Sequence, residues 1–376
     1  MPSFTGEERQ LLHESLQDNI SNRYSFEHFR ALSDPEHTDG FGRAEWAEYA
    51  ELGWLGVALP DYAGGSAGGM TESGIVMAAA GGALSMEPFV STLVLGASAI
   101  ELAGNAEQRK VLTDVATGAH TLAFCHTELD AGYARDYVTS VARRAGADFI
   151  LSGEKTFALH ADAADSLVVS ARIGDENGPI GLFLVSPSAA GVHLKPAPAF
   201  DARRGAAVSL TEVALSASAK LGDNDVDLTD VIDTVLDRGA LAVCAEAVGA
   251  MTTVTEQTVE YLKTREQFGQ PLAKFQVLQH RLVDMSIAVE EARAATHSAL
   301  TAMDAGTPDC QTIVWRAKVQ CAQSARFVGG QAIQLHGGMG MTDELAIGHY
   351  YKRLTMCETA FGDAQWYLKQ LAAKAA

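Results

Sequence analysis

The sequence predicts an α+β fold that is mostly helical, with a β-rich block placed between two helical blocks. Helical periodicity dominates residues 1–118 and returns in long stretches within residues 223–376. Residues 119–222 instead contain short apolar runs bounded by Gly, Asp and Pro, which is typical of strands. Because helices and strands come in blocks, the pattern disfavours an alternating βαβ fold. We therefore expect three domains with these boundaries.

Composition excludes several classes of function. A net charge of −19 disfavours binding to nucleic acid or to an anionic membrane. No run of about eighteen apolar residues exists, and the acidic N-terminus that begins at Met1 does not resemble a signal peptide. The five cysteines are scattered and never form a Cys-x-x-Cys pair, which predicts reduced thiols and a cytoplasmic protein.

The N-terminal block contains signals for several helices. Thr5 and Glu8 have the spacing of a capping box ahead of an apolar helical face. A second helix is predicted around Trp46 and Tyr49, and Gly53 ends it. Further helices are expected near residues 93–102 and 106–117, each followed by a glycine.

The middle block is expected to form a small sheet or barrel. The predicted strands are the apolar runs at residues 149–151, 167–169, 180–185, 192–194 and 207–210.

The C-terminal block begins with a long amphipathic helix. Apolar residues recur at spacings of three and four along one face of this helix, namely Leu241, Cys244, Val248, Met251 and Val254. Thr258 and Leu262 continue the same spacing. Gly269 and Pro271 interrupt this helix, and the same spacing restarts at Phe275 and runs to Val289.

The join between these two helices carries Arg265, Phe268 and Gln276. A guanidinium, an aromatic ring and an amide beside a helix start can hold an anionic group and an aromatic heterocycle. The alternative is a plain helix hairpin with a solvated corner.

A second candidate site is the glycine-rich run that includes Gln334, Gly337 and Gly338. Glycines allow a backbone to approach a flat or phosphorylated ligand, although a tight turn that ends a helix has the same composition. The sequence contains no Gly-x-Gly-x-x-Gly after a strand, no Walker loop and no His-Glu-x-x-His, and we expect no metal site.

The wording of these motifs resembles the acyl-CoA dehydrogenase family. Thr-Arg-Glu-Gln-Phe-Gly-Gln-Pro at 264–271, then Phe-Gln-x-x-Gln-His at 275–280 and Gln-x-x-Gly-Gly-x-Gly at 334–340, follow the family's order. The runs at 122–128 and 153–157 are similar to its flavin-facing loop and strand. This resemblance implies an N-terminal helical domain, a middle β-barrel, a C-terminal four-helix bundle, a tetramer and FAD. The implied FAD contacts are Phe124, Thr127, Phe157, Arg265, Phe268, Gln276, Gln334, Gly337 and Gly338.

Family members oxidise an acyl-CoA thioester to the trans-2-enoyl-CoA with a glutamate as the base. That position falls here on Gly362, which has no side chain. A minority of the family carries the base on an earlier helix, where this chain has Asp237. Asp237 is alternatively an ordinary aspartate in the first turn of a helix. Asp363 is a further candidate, or the cap of the last helix.

Several runs are similar to the small subunit of pimeloyl-CoA dehydrogenases and to base-less subunits of steroid side-chain dehydrogenases. They include Phe-Gly-Asp-Ala at 361–364. This similarity implies a heterotetramer in which a paralogous subunit supplies the base, with electron-transferring flavoprotein as the acceptor. The alternatives are a self-sufficient homotetramer that uses Asp237 or Asp363, and a non-catalytic scaffold with the flavoprotein fold.

Overall fold

The computed structural model describes the chain except for residues 1–3, 22, 23, 35 and 376. The chain divides into two compact units, one of Met1–Ala31, Gly69–Ser85 and Ala240–Ala376, the other of Leu32–Gly68 and Met86–Gly239. None of the described helices has the length and apolarity needed to cross a membrane. The expectation about a signal peptide rests partly on residues 1–3, which lie outside the described residues.

The described residues form eleven α-helices, which account for both predicted helical blocks. They are α1 (Gly6–Leu16), α2 (Phe26–Leu32), α3 (Arg43–Glu51), α4 (Met70–Gly82), α5 (Ala97–Ala103), α6 (Val111–Ala116), α7 (Thr229–Thr264), α8 (Gln276–Asp304), α9 (Cys310–His336), α10 (Ala346–Thr359) and α11 (Ala364–Ala375).

The predicted start of α1 is confirmed in detail. The Glu8 amide donates to Thr5 Oγ1 at 3.2 Å, and the Thr5 amide donates to Glu8 Oε2 at 2.6 Å. Both bonds satisfy amides that a helix start otherwise leaves without partners. The expectation that Gly53 ends the helix around Trp46 and Tyr49 is also confirmed, because that helix, α3, stops at Glu51 and Gly53 has a left-handed φ of 79°.

The middle block is a seven-stranded sheet. Its strands are β1 (Leu122–Cys125), β2 (Val141–Ala145), β3 (Asp148–Leu159), β4 (Ser166–Ile173), β5 (Ile180–Val185), β6 (Val192–Pro198) and β7 (Arg204–Leu215). The order is β1-β4-β2-β3-β7-β6, with β5 beside β4. Strand β4 pairs parallel with β1 and β2, and the other pairs are antiparallel. Phe149, Leu167, Phe183 and Val208 lie in its buried core.

All five predicted strands are present, and sequence reasoning missed β1 and β2. The β1 strand has only four residues, all of them buried, so no alternation of polar and apolar residues marks it. The β2 strand contains Arg143 and Arg144, whose side chains are exposed. Two charged residues in a five-residue strand leave no apolar run by which the sequence could predict it.

The predicted face of α7 is buried along its whole length within the first unit, from Leu241 to Leu262. Thr258, its one polar member, is fully buried, and its hydroxyl keeps a hydrogen-bond partner there by donating to the Val254 carbonyl at 2.6 Å. On α8 the prediction holds best beyond the first turns, since Met285 and Val289 are buried. Helix α9 packs against α8, α10 and α11.

Candidate functional site

The corner between α7 and α8 is a two-stranded hairpin, formed by β8 (Glu266–Gln267) and β9 (Gln270–Pro271). Phe268 and Gly269 form its turn with φ values of 54° and 80°. The turn leaves the Phe268 ring 90% exposed, and its only ring contact in the described chain is edge-to-face with Phe275 at 6.0 Å between centroids. An apolar ring in such a position is available to stack on a ligand.

Two polar side chains accompany that ring. Arg265 lies at the first strand of the hairpin with an exposed side chain, and Gln276 is the first residue of α8 and is also exposed. The structure therefore brings a cation, an aromatic face and an amide to one corner of the first unit, as the sequence predicted.

The glycine-rich run forms a tight 3₁₀ turn, Gly337–Met341, directly after α9. Gly337 has a φ of 61°, and a Cβ added at Gly337 or Gly338 would meet no atom within 4 Å. The ring of Tyr261 stacks on His336 at 4.3 Å and 25°, so the end of α9 lies beside α7 four residues before Arg265. Both predicted motifs thus lie at the same end of these helices, and Gln334 is exposed there.

These groups fit the flavin nucleotide that the resemblance implies. The Arg265 guanidinium matches a pyrophosphate, the exposed Phe268 ring matches an adenine, and the open backbone at Gly337 and Gly338 permits close approach. Bound FAD would supply a hydride acceptor, and these residues would hold and orient the nucleotide.

The candidate flavin contacts of the second unit lie where β1 meets β3. The Thr156 amide donates to the Thr127 carbonyl at 2.9 Å, which places Phe157 beside the end of β1. Thr127 and Phe157 are exposed. Phe124 is buried and stacks on His126 at 5.8 Å, so its ring presents little surface to a ligand.

A buried polar network behind this edge was not predicted from the sequence. Lys155 Nζ donates to Glu128 Oε1 at 2.7 Å, and both side chains are nearly inaccessible. The same carboxylate accepts from the Thr139 amide at 2.7 Å and from Ser140 Oγ at 2.8 Å. Burial would raise the pKa of Glu128, but the ammonium and these hydrogen bonds outweigh it and lower the pKa to about 2.

We expect this network to make the protein acid-sensitive. Because the folded pKa of Glu128 lies below its ordinary value, its contribution to stability is present above about pH 5 and is lost towards pH 2. Glu128→Gln should therefore flatten the fall in melting temperature across this range, while lowering stability at neutral pH because Lys155 stays buried. Thermal melts at several pH values measure this. Glu154→Gln, at an exposed position of β3 next to Lys155, is the control and should keep the wild-type slope.

The position of the usual base is closed to any side chain. Gly362 is buried and has a φ of 121°, a conformation that L residues rarely adopt. A Cβ added there would lie 2.7 Å from Tyr367 Cε2 and 2.8 Å from Trp366 Cε3. The sequence indicated the missing carboxylate, but not that two aromatic rings fill its place.

The second candidate base, Asp237, is held by an arginine. Asp237 Oδ1 lies 2.8 Å from Arg135 Nη2, with both side chains at most 10% exposed, and Asp233 Oδ1 lies 3.6 Å from Arg135 Nη1. The expectation that Asp237 occupies the first turn of a helix is wrong, because α7 begins at Thr229. Arg135 was missed because it lies in the loop after β1, 102 residues away in the sequence.

Asp363 lies where the capping alternative places it. Its Oδ1 accepts from the Trp366 amide at 2.7 Å, and its carbonyl accepts from the Tyr367 amide at 3.1 Å. This is the N-terminal cap of α11.

Comparison with known families assigns three ranges that together cover most of the chain. The acyl-CoA dehydrogenase N-terminal domain matches residues 7–119, the middle domain 123–216 and the C-terminal domain 229–376. Acyl-CoA dehydrogenase FadE12 of Mycobacterium tuberculosis is 32% identical over 351 residues, covering 91% of this chain and 89% of that protein. Probable acyl-CoA dehydrogenase YngJ of Bacillus subtilis is 27% identical, with 95% of each chain covered.

Solved structures agree with this assignment. A variant of the Tcur3481-Tcur3483 steroid ACAD superposes with a TM-score of 0.88 at 29% identity, covering 98% of this chain and 97% of that chain. The ChsE4-ChsE5 complex from Mycobacterium tuberculosis has the same fold, with a TM-score of 0.89 at 24% identity, covering 100% of this chain and 99% of that chain. The chain therefore belongs to the acyl-CoA dehydrogenase family, FAD-dependent oxidoreductases that act on CH–CH groups, with the family's helical, β-sheet and helical domains.

Proposed function

We propose that this chain is the base-less subunit of a heterotetrameric acyl-CoA dehydrogenase that forms a trans-2-enoyl-CoA with a paralogous catalytic subunit. Its part is to hold a flavin nucleotide. The proposed contacts in the first unit are Arg265, Phe268, Gln276, Gln334, Gly337 and Gly338, and those in the second unit are Thr127 and Phe157, since the Phe124 ring is buried. The glutamate that removes the α-proton comes from the partner. Electron-transferring flavoprotein takes the electrons.

The observation that carries this proposal is that Asp237 is held in a buried ion pair with Arg135. A general base must reach the α-carbon with a carboxylate that can accept a proton. Asp237 already binds a buried guanidinium at 2.8 Å and must break that ion pair first. Asp363 is engaged in capping a helix, and Gly362 has no side chain. The designation Tcur3481-Tcur3483 joins two protein names for the steroid dehydrogenase at 29% identity, which agrees with the pairing proposed here.

The remaining parts of the proposal concern organisation and location. We place the domain boundaries at 118/119, one residue before the N-terminal match ends, and at 222/223, between the middle and C-terminal matches. The substrate is an acyl-CoA whose degradation proceeds by β-oxidation. The protein works in the cytoplasm, in keeping with its five cysteines, which form no disulfide.

Co-expression tests the partnership. The chain is produced alone and together with an acyl-CoA dehydrogenase paralogue of its source organism that carries the usual glutamate. Loss of flavin absorbance on adding acyl-CoAs is then measured. We expect a stable complex, with flavin reduction in the lone chain at least about 100-fold slower, the usual cost of removing a general base.

Asp237→Asn separates the proposal from the homotetramer. In the complex this variant should keep wild-type turnover. If the lone wild-type chain reduces its flavin and Asp237→Asn abolishes the reaction, the chain is a self-sufficient enzyme. A lone chain and a complex that both purify without flavin would identify a scaffold instead.

A further inference from the structure

Side chains of the C-terminal helices hold the turn at Phe361–Gly362. The hydroxyl of Tyr367 donates to the Phe361 carbonyl at 2.8 Å. Lys318, which is fully buried on α9, donates through Nζ to the Cys357 carbonyl at 2.7 Å and the Glu358 carbonyl at 2.9 Å. These carbonyls belong to the last turn of α10, where a cation also complements the helix dipole. The backbone that enters the turn is therefore anchored before Phe361 is reached.

Three aromatic rings enclose the same turn. Trp366 and Tyr367 meet edge-to-face at 4.7 Å between centroids, and Trp315 on α9 packs against them at 6.3 and 6.2 Å. Tyr367 is fully buried. Because the Cβ direction of Gly362 points at Tyr367 and Trp366, any side chain at this position is aimed into the aromatic cluster. Interiors are close-packed, so such a side chain displaces its neighbours.

We infer that Trp366, Tyr367 and Lys318 are positioning residues that fix the turn in a conformation with no room for a side chain at position 362. This inference deepens the proposed function and rests on it, since it explains why the chain needs a partner's base. The conformation of the whole turn, and not the identity of residue 362 alone, leaves no space for a carboxylate at this position. A glutamate introduced at position 362 is directed into the ring cluster, and Gly362→Glu alone restores no base.

A double-mutant comparison tests the role of the rings in the full-length chain. Gly362→Ala should lower the melting temperature by roughly 5 °C or more, because it adds a ring clash to backbone strain. In a Trp366→Ala/Tyr367→Leu background the same substitution should cost less than half as much, since the strain alone remains. Equal losses in the two backgrounds would overturn the inference. Should that background fail to fold, Trp366→Ala alone serves, because it removes one of the two clashes.

Hydrogen exchange tests the anchoring bonds without removing a ring. Tyr367→Phe deletes the bond to the Phe361 carbonyl, and Lys318→Met deletes the two bonds to α10. Both variants should exchange the amides of residues 359–363 at least about 10-fold faster than wild type, while α8 stays unchanged. Unchanged exchange at the turn in both variants would contradict the inference.

Failure of the proposed function and failure of the inference about the turn give different results. Flavin reduction by the lone wild-type chain would defeat the proposed function and would leave the stability comparison intact. Flavin reduction gained by Gly362→Glu alone, in a chain that is inactive as wild type, would instead defeat the inference about the turn.

Discussion

Arg353→Met should lower the free energy of unfolding by about 3–5 kcal/mol, because it removes the guanidinium from a buried carboxylate. Arg353 Nη1 lies 2.8 Å from Glu246 Oε1 and also donates to the Ser85 carbonyl at 3.1 Å. Both charged side chains are at most 2% exposed. Since water cannot reach Glu246 to replace the lost cation, the cost is much larger than for a surface pair. Urea denaturation measures it.

The matched control is an exposed ion pair of the same unit. Lys263 and Glu260 lie 2.7 Å apart on α7 with side chains 58% and 67% exposed, so Lys263→Met should cost only about 0–1 kcal/mol. The double variant Arg353→Met/Glu246→Gln should be less destabilised than the sum of its two single variants, because the two residues interact directly. Strict additivity would show that the pair contributes no coupling.

Arg265→Glu should weaken FAD binding at least about 100-fold, or about 2.7 kcal/mol, in the proposed complex with a catalytic partner. The substitution removes the charge-assisted contact to the pyrophosphate that we propose for Arg265, and places a carboxylate there instead. Flavin content after purification and titration of the stripped complex with FAD measure the change. Melting temperature without flavin should stay near wild type, because the Arg265 side chain is exposed.

Lys263→Glu provides the control for this substitution. It makes the same change in charge, two residues earlier near the end of α7, at a position that is also exposed. Its FAD affinity should stay within about threefold of wild type at moderate salt, where exposed charges are screened. Equal losses for the two variants would mean that general electrostatic attraction, and not a contact by Arg265, binds the nucleotide.

Local sequence patterns were sufficient to predict the order of helical and β-rich blocks. The order of helical and β blocks follows from the periodicity of apolar residues, which each segment carries by itself. The face of α7 was predicted residue by residue, and the capping box at Thr5 was predicted with its bonds. The failures also have local causes: β1 is too short to show a period, and β2 is too charged to resemble a buried strand.

The candidate site divides in the same way. The corner with Arg265 and Phe268 was predictable because its residues are close in the sequence and lie beside a helix start. The glycine turn was predictable from its composition, since the combination of a φ of 61° and a ψ of −141° at Gly337 favours glycine over residues with a Cβ. Which ring or ion pair surrounds each candidate base was not predictable, because those neighbours come from other elements.

The sequence by itself determined the block order, the family resemblance and the absence of a carboxylate at residue 362, because these depend on residue identity and short spacing. Tertiary structure alone decided that Arg135 binds Asp237 across 102 residues and that Arg353 binds Glu246 across 107. It also decided that Tyr367 and Trp366 fill the space beside Gly362. Such partners are chosen when elements pack together, and no periodic pattern in a single element records which distant side chain will meet it.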